Sequence, residues 1–452
     1  MNKPLIRVAG SLYSLSWTLI RPLLRRSPRL ADGFAERLAP PDWAGALTGG
    51  VDVWVQAASG GEARLACALL QELAASGASA RLCIMLTTWT RQGRDILEAG
   101  IAALPADGPV RAVARFVPFD DPALMRAALA QANPRLVVLL ETEIWPGLLL
   151  ACREAGVPVL LANGRLRDRT LRNYLRCAAL WRAMPPDRIT AISEADAGRF
   201  RRLFPFTPCT VIDNIKFDQA ALSHPAQESI APILDLPPPL CSLLTDAPLR
   251  PVVLFASVRE EEEEPLRAVL RELSGPDEKD GKIRLIVAPR HMHRIAAWGV
   301  MLDALGLTWT RRSAPGTVDA DVVLWDAFGE LAWLYHMADA VFVGGSLAPL
   351  GGQNFLEALA AGTTPFVGPH LGNFAWALVG EAAGLTDLGL LTVTPDAPAL
   401  CAGLRAAIAR GPLTQADRSA TRCRFADWLA PRQGGTAAQV GVILDMLRRS
   451  PA

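Results

Sequence analysis

The chain has 452 residues, of which 51% are hydrophobic and 20% charged, with 46 basic residues against 45 acidic ones. This composition forms cores and excludes a disordered chain, and the length suits two or three domains. A net charge of +1 gives no global reason to expect nucleic acid. The eight cysteines contain no CxxC pair, and five histidines leave little material for a metal site. Cysteines scattered singly among apolar residues read as buried thiols in a reducing compartment.

From Val8 to Ile20 the residues are apolar or small, with Arg7 before them and Arg21, Arg25, Arg26 and Arg29 after. The run is about 13 residues, short of the roughly 20 that a span needs. No cleavage-site pattern of a signal peptide follows. Residues 1–40 are therefore expected to be an amphipathic anchor on the membrane surface, with its arginines toward anionic lipid. The alternative is an ordinary helix packed on the next domain.

After Pro40-Pro41 short apolar runs alternate with helical stretches. Strands are predicted at Val51–Ala57, Ala80–Leu86, Val113–Val117, Leu136–Leu140 and Val157–Ala162. Helices are predicted at Glu62–Ser76, Thr90–Ala99, Pro122–Ala132 and Leu148–Ala155. This is the pattern of a parallel, doubly wound sheet. The regularity fails from Ile215 to Pro239, a proline-rich linker candidate. It resumes with strands at Val252–Ala256, Arg284–Ala288, Ala340–Val343 and Thr364–Val367. Helices are expected there at Pro265–Leu273, Gly329–Met337 and Asn354–Ala361. The expected class is α/β: two Rossmann-like domains, 41–225 and 226–452, facing a cleft. The last helical stretch, Ala437–Arg448, would pack back on the first half. Ligands of such sheets bind beyond the carboxyl ends of the strands.

Five segments carry candidate chemistry. In Ala57-Ala58-Ser59-Gly60-Gly61-Glu62, glycines and a helix N-terminus offer N–H groups to a ligand, and Glu62 projects from the first turn. Glu62 reads either as a partner of the helix dipole or as a base. A base here needs burial or a second carboxylate to offset the dipole, which favours the ionised form. In Leu140-Glu141-Thr142-Glu143-Ile144-Trp145-Pro146, two carboxylates close a very apolar strand, a costly placement unless they are paired or functional. Lys216, in Asp213-Asn214-Ile215-Lys216-Phe217-Asp218, could stabilise a leaving phosphate. Pro289-Arg290-His291 ends a strand with side chains suited to phosphate or carboxylate. The segment from Gly344 to Glu357 holds two glycine pairs before Asn354 and reads either as a box-like helix start of Asn354 with Glu357, or as a site with phosphate at the helix start and a ribose or base on Glu357. Asp319-Ala320-Asp321 spells DxD but directly precedes Val322-Val323-Leu324, so it reads as a strand start rather than a metal motif.

The order of these segments resembles the 3-deoxy-D-manno-octulosonic acid (Kdo) transferases. Further matching stretches are Leu86-Thr87-Thr88, Phe116-Val117-Pro118-Phe119-Asp120, Ala162-Asn163-Gly164-Arg165-Leu166, Gly329-Glu330-Leu331 and Gly368-Pro369-His370. The resemblance implies a GT-B fold, CMP-Kdo as donor, a lipid A precursor (lipid IVA) as acceptor, and no metal or other cofactor. It also implies action at the cytoplasmic face of the bacterial inner membrane, on its anionic surface, without nucleic acid. Carried over by motif, Glu62 would be the general base, with Glu141 and Lys216 stabilising the transition state. Pro289, Arg290, Phe328, Gly329, Glu330, Asn354, Phe355, Leu356 and Glu357 would hold the CMP. The chain departs from the family pattern at Gln56, Gly61, Arg259, Leu350, Gln353 and Phe355, mostly on the donor side. Two other readings stay open: a GT-B transferase or epimerase with another nucleotide-sugar donor, and a non-catalytic relative that binds lipid A.

Overall fold

The computed structural model describes residues 3–26, 28–40, 42–43, 45, 47, 50–76, 81–222, 250–274, 283–313, 320–327, 329–378 and 384–449. The chain forms two compact units: Met1–Asp218 together with Arg432–Ala452, and Gln219–Pro431.

The first unit is built on seven strands: β1 (Val51–Ala57), β2 (Leu82–Thr88), β3 (Val110–Phe116), β4 (Pro134–Leu140), β5 (Val159–Gly164), β6 (Arg188–Ala191) and β7 (Cys209–Val211). They form one parallel sheet in the order β3-β2-β1-β4-β5-β6-β7. The central strands β1, β4 and β5 are mainly apolar because both faces are covered. In β4, Leu136, Val138 and Leu140 join one core, while Val137 and Leu139 join the other. Each such side chain contributes about 1.5–3 kcal/mol by burial. Helix starts are set locally: Ser59, Thr90 and Asp121 cap the helices Gly60–Ala75, Arg91–Ala102 and Pro122–Ala132.

Two terminal helices complete this unit. The C-terminal helix, Gly435–Arg449, packs on Gly60–Ala75 and puts Val440, Val442, Ile443 and Leu447 into the core beside Val53 and Val55. The N-terminal helix, Lys3–Leu24, runs through Pro22. Tyr13 donates to Asp120 at 2.8 Å, Ser14 to Asp121 at 3.1 Å, and Arg21 pairs with Asp121 at 2.5 Å. Trp17 lies against Phe119, with ring centroids 5.9 Å apart. Leu15, Leu19, Ile20 and Leu23 remain exposed on this helix. Among the described residues no helix is long and apolar enough to cross a membrane.

The second unit has β8 (Val252–Val258), β9 (Arg284–Pro289), β10 (Trp309–Arg311), β11 (Val322–Leu324), β12 (Ala340–Val343), β13 (Pro365–Val367) and β14 (Thr392–Val393). These strands are also all parallel, in the order β10-β11-β9-β8-β12-β13-β14.

Some sequence expectations need correction. The proposed linker from Ile215 is helical over Ile215–Leu222, and residues 223–239 lie outside the described residues. Its first turn is held by distant partners, described below, that no local pattern reveals. The helix expected from Asn354 begins at Leu356. Asp321 takes the N–H and hydroxyl of Thr308 at the start of β11, at 3.0 and 2.7 Å; Asp319 lies outside the described residues.

Candidate active site

β1 and β4 are parallel neighbours, so the segments that follow them emerge at one end of the sheet. Glu141 is the first residue after β4, and Glu62 follows β1 in the first turn of the helix Gly60–Ala75. Ser59 caps that helix, and Glu62 folds back to accept the Ser59 N–H at 2.7 Å. Burial and the charge of Glu141 nonetheless push Glu62 above the ordinary carboxylate range, against the Ser59 hydrogen bonds. Both offsets that a base requires at a helix N-terminus are therefore present.

Glu143 belongs to the same cluster. Burial first, and Glu62 second, raise its carboxyl to about 8, although the Trp145 indole donates to it. The carboxyl groups gathered at the ends of β1 and β4 disfavour one another's ionisation, and one of them is answered directly: Lys216 Nζ donates to Glu141 Oε1 at 2.5 Å. Glu141 has a left-handed backbone, with φ of 55°. For a residue with a side chain this conformation costs about 1–3 kcal/mol and persists only where the surroundings impose it. Here the Glu141 N–H is bound to Ala162 O at 3.0 Å, across to β5.

Lys216 reaches Glu141 because the start of its helix is fixed by two buried asparagines. Asn163, near the end of β5 and with φ of 53°, accepts the Ile215 N–H at 3.1 Å and donates to Asn214 Oδ1 at 3.1 Å. Asn214 Oδ1 also accepts the Lys216 N–H at 3.0 Å. Asn163 stood in the sequence only as part of a matching stretch; its left-handed backbone and its long-range pairing are legible only in three dimensions.

The loop behind Glu141 is anchored from below. Asp120 is fully buried and accepts the N–H groups of Gly147 and Leu148, both at 2.8 Å, together with the Tyr13 hydroxyl. Burial outweighs these donors and holds its carboxyl at about 7. Gln56, buried beneath the end of β1, accepts from Thr87 Oγ1 at 2.5 Å.

In the second unit the glycine-rich segment following β12 is organised by a residue that sequence reasoning missed. Glu262 is completely buried. Its carboxylate accepts the N–H groups of Gly345, Ser346 and Leu347 at 2.6, 2.9 and 2.9 Å, and that of Arg259 at 3.1 Å. Gly344 must be glycine, because a Cβ there would meet Ser257 O at 2.7 Å and Glu262 Oε2 at 2.8 Å. Three N–H groups of the glycine-rich turn are thus committed to a protein carboxylate. The run Glu260–Glu264 reads in sequence as a charged helix start, and nothing local singles out the one member that turns inward.

The expected donor residues fall into two groups. Arg290, Gly329 and Asn354 are exposed, and Glu357 is half-buried and accepts from Asn354 Nδ2 at 2.7 Å. Glu330 is held by both nitrogens of the Arg312 fork, at 3.1 and 2.9 Å, and by the Trp325 indole at 2.9 Å. Pro289 closes β9, and Phe355 and Leu356 are buried, with the Phe355 ring tilted against Phe374, centroids 4.8 Å apart. The Phe355 and Leu356 side chains belong to the core, so a ligand could meet these two residues only through their backbone. Phe328 lies outside the described residues.

Known proteins share this fold. A glycosyltransferase from Rickettsia africae superposes over 88% of this chain and 100% of its own with a TM-score of 0.56 at 12% identity, a likeness of fold. Residues 32–219 match the family model of 3-deoxy-D-manno-octulosonic-acid transferase. The 3-deoxy-D-manno-octulosonic acid transferase of Bordetella pertussis is 32% identical over 96% of this chain and 99% of its own length. That of Haemophilus influenzae is 28% identical over 77% of this chain and 78% of its own. Two parallel α/β units, and relatives of this kind, define a glycosyltransferase of the GT-B class. Within that class, the chain belongs to the Kdo transferase family.

Proposed function

We propose that the protein transfers Kdo from CMP-Kdo to a lipid A precursor, with inversion, in building the lipopolysaccharide core. The observation that carries the chemistry is the Glu62, Glu141, Glu143 and Lys216 cluster at the ends of β1 and β4. An acceptor hydroxyl attacks the anomeric carbon, its proton passes to Glu62, and the bond to the CMP phosphate breaks. Glu62 suits this role because burial and Glu141 raise its proton affinity toward that of a useful base. In this mechanism the Glu141 carboxylate stabilises the positive character that develops at the anomeric centre, and the Lys216 ammonium stabilises the negative charge that develops on the departing phosphate. Pro289, Arg290, Gly329, Glu330, Asn354 and Glu357, with the backbone of Phe355 and Leu356, form the CMP site in this reading. Phe328 joins them by motif.

The acceptor is a membrane lipid, and the N-terminal helix is suited to approach one. Leu15, Leu19, Ile20 and Leu23 stand exposed on it. Beside them Arg21, Arg25 and Arg26 line a cavity of about 580 Å³ together with Thr18, Phe34 and Leu38. Exposed apolar residues next to arginines favour an anionic bilayer surface. The protein is then a peripheral enzyme of the cytoplasmic face of the inner membrane.

The test is a transfer assay with CMP-Kdo and tetraacyl lipid A precursor, read by mass of the lipid product and by release of CMP. A Kdo-bearing lipid supports the reading. Absence of product with CMP-Kdo, while another nucleotide sugar is consumed, would overturn the donor assignment. Flotation with anionic vesicles tests the surface: Arg25→Glu/Arg26→Glu is expected to leave the vesicle fraction, and unchanged flotation would refute the membrane contact.

A further inference from the structure

The chain leaves the first unit after Asp218 and re-enters it at Arg432. Asp218 binds the re-entering segment directly. Its Oδ1 accepts the Gly434 N–H at 2.7 Å, and its Oδ2 accepts the Thr436 N–H at 2.7 Å and the Thr436 hydroxyl at 2.6 Å. The two segments lie so close that a Cβ on Gly435 would come within 2.3 Å of Asp213 O.

Both sides of this clasp are tied to other parts of the unit. The C-terminal helix is held to the sheet by Thr190 donating to Gln439 at 2.6 Å, Arg188 to Asp445 at 3.2 Å, and Arg135 to Leu447 O at 2.9 Å. On the other side, Lys216 precedes Asp218 by half a helical turn and ends on Glu141 at 2.5 Å. An N-cap carboxylate would accept donors of its own helix. Asp218 instead accepts three donors of a distant segment.

We infer that Asp218 is a positioning residue for the transfer reaction: by clasping the helix of Lys216 to the start of the C-terminal helix, it sets the reach of Lys216 to Glu141. The inference rests on the proposed roles of Lys216 and Glu141. A charged group displaced by about 1 Å loses on the order of a hundredfold in rate, so a loosened clasp is read as lost turnover.

The pH profile separates positioning from mere support. Glu62 faces Glu141 and Glu143, while Glu141 faces Lys216 and Arg165. Withdrawing Lys216 leaves the Glu141 charge less compensated, which pushes Glu62 further up and moves the acidic limb of kcat to higher pH.

The experiment compares full-length wild type, Asp218→Ala, Lys216→Ala and the double variant in the transfer assay with CMP-Kdo and tetraacyl lipid A precursor. Circular dichroism checks the fold. Asp445→Asn, which perturbs the same helix away from the clasp, serves as control. Asp218→Ala is expected to lower kcat about tenfold or more with both KM values within about twofold, and to raise the acidic limb. It is expected to add nothing in the Lys216→Ala background. Should Asp218→Ala fail to fold, Thr436→Val, which removes only the hydroxyl bond, is expected to show a smaller loss of the same kind. Wild-type kcat and pH profile in the folded variant, or additive losses in the double variant, would overturn the inference. Full activity of Lys216→Ala would instead remove the reading of Lys216 on which it stands.

Discussion

Glu62 and Glu262 occupy the same local motif in the two units and meet opposite surroundings. Each lies in the first helical turn after the strand that opens its sheet, β1 or β8. Each folds back onto the N–H of the residue three before it, at 2.7 Å for Glu62 and 3.1 Å for Glu262. Glu262 then takes three more N–H groups from the glycine-rich turn and is completely buried. Glu62 stays half-buried, facing Glu141 and Glu143. A carboxylate that receives every donor within reach holds a loop in place. One left among like charges is poised to take a proton. The motif alone therefore does not decide a role; the groups that the rest of the fold brings to it do.

Neutralising each carboxylate in turn tests that difference first. Glu262→Gln replaces four charge-assisted bonds by weaker and partly mismatched ones, and is expected to destabilise the second unit by about 3 kcal/mol. Glu62→Gln loses a capping contact and is expected to cost about 1 kcal/mol. Urea unfolding followed by fluorescence measures both, and equal shifts would break the comparison. Next in size, Lys216→Ala is expected to lower kcat by about tenfold to a hundredfold, since in the proposed mechanism Lys216 is one electrostatic partner of the reaction. The pH dependence follows from the raised Glu62. A base works only when unprotonated, so activity is expected to fall with falling pH through a value above the ordinary Glu range of about 4.3. An acidic limb at or below that range would remove the interplay with Glu141. The smallest effect is expected from Tyr13→Phe, which deletes one of the donors to Asp120. It is expected to shift thermal unfolding of the first unit by about 1 kcal/mol.

Much of the scaffold was legible in the sequence, because buried parallel strands are continuous apolar runs. Val51–Ala57 and Ala340–Val343 form over the predicted residues. The first halves of the candidate site were legible for the same reason: Glu141 ends an apolar strand, where a charge is conspicuous. Short strands such as Arg188–Ala191 and Cys209–Val211 have too few residues to show a period. The helix of Lys216 was hidden by the prolines that follow it and by a start that depends on Asn163, 52 positions before Ile215. Glu262 was hidden among five consecutive acids, distinguished only by the turn it meets after folding. Phe355 and Leu356 were legible as part of a motif, but their burial, which restricts them to backbone contacts, came from the packing of the second unit.

Whether Glu62 takes the acceptor proton is measured most directly by the turnover number of Glu62→Gln beside wild type, with CMP-Kdo and tetraacyl lipid A precursor both saturating. A loss of about 10²–10⁴ in a variant that keeps its fold is the predicted result. Turnover within about threefold of wild type would contradict the claim and leave Glu62 a helix cap.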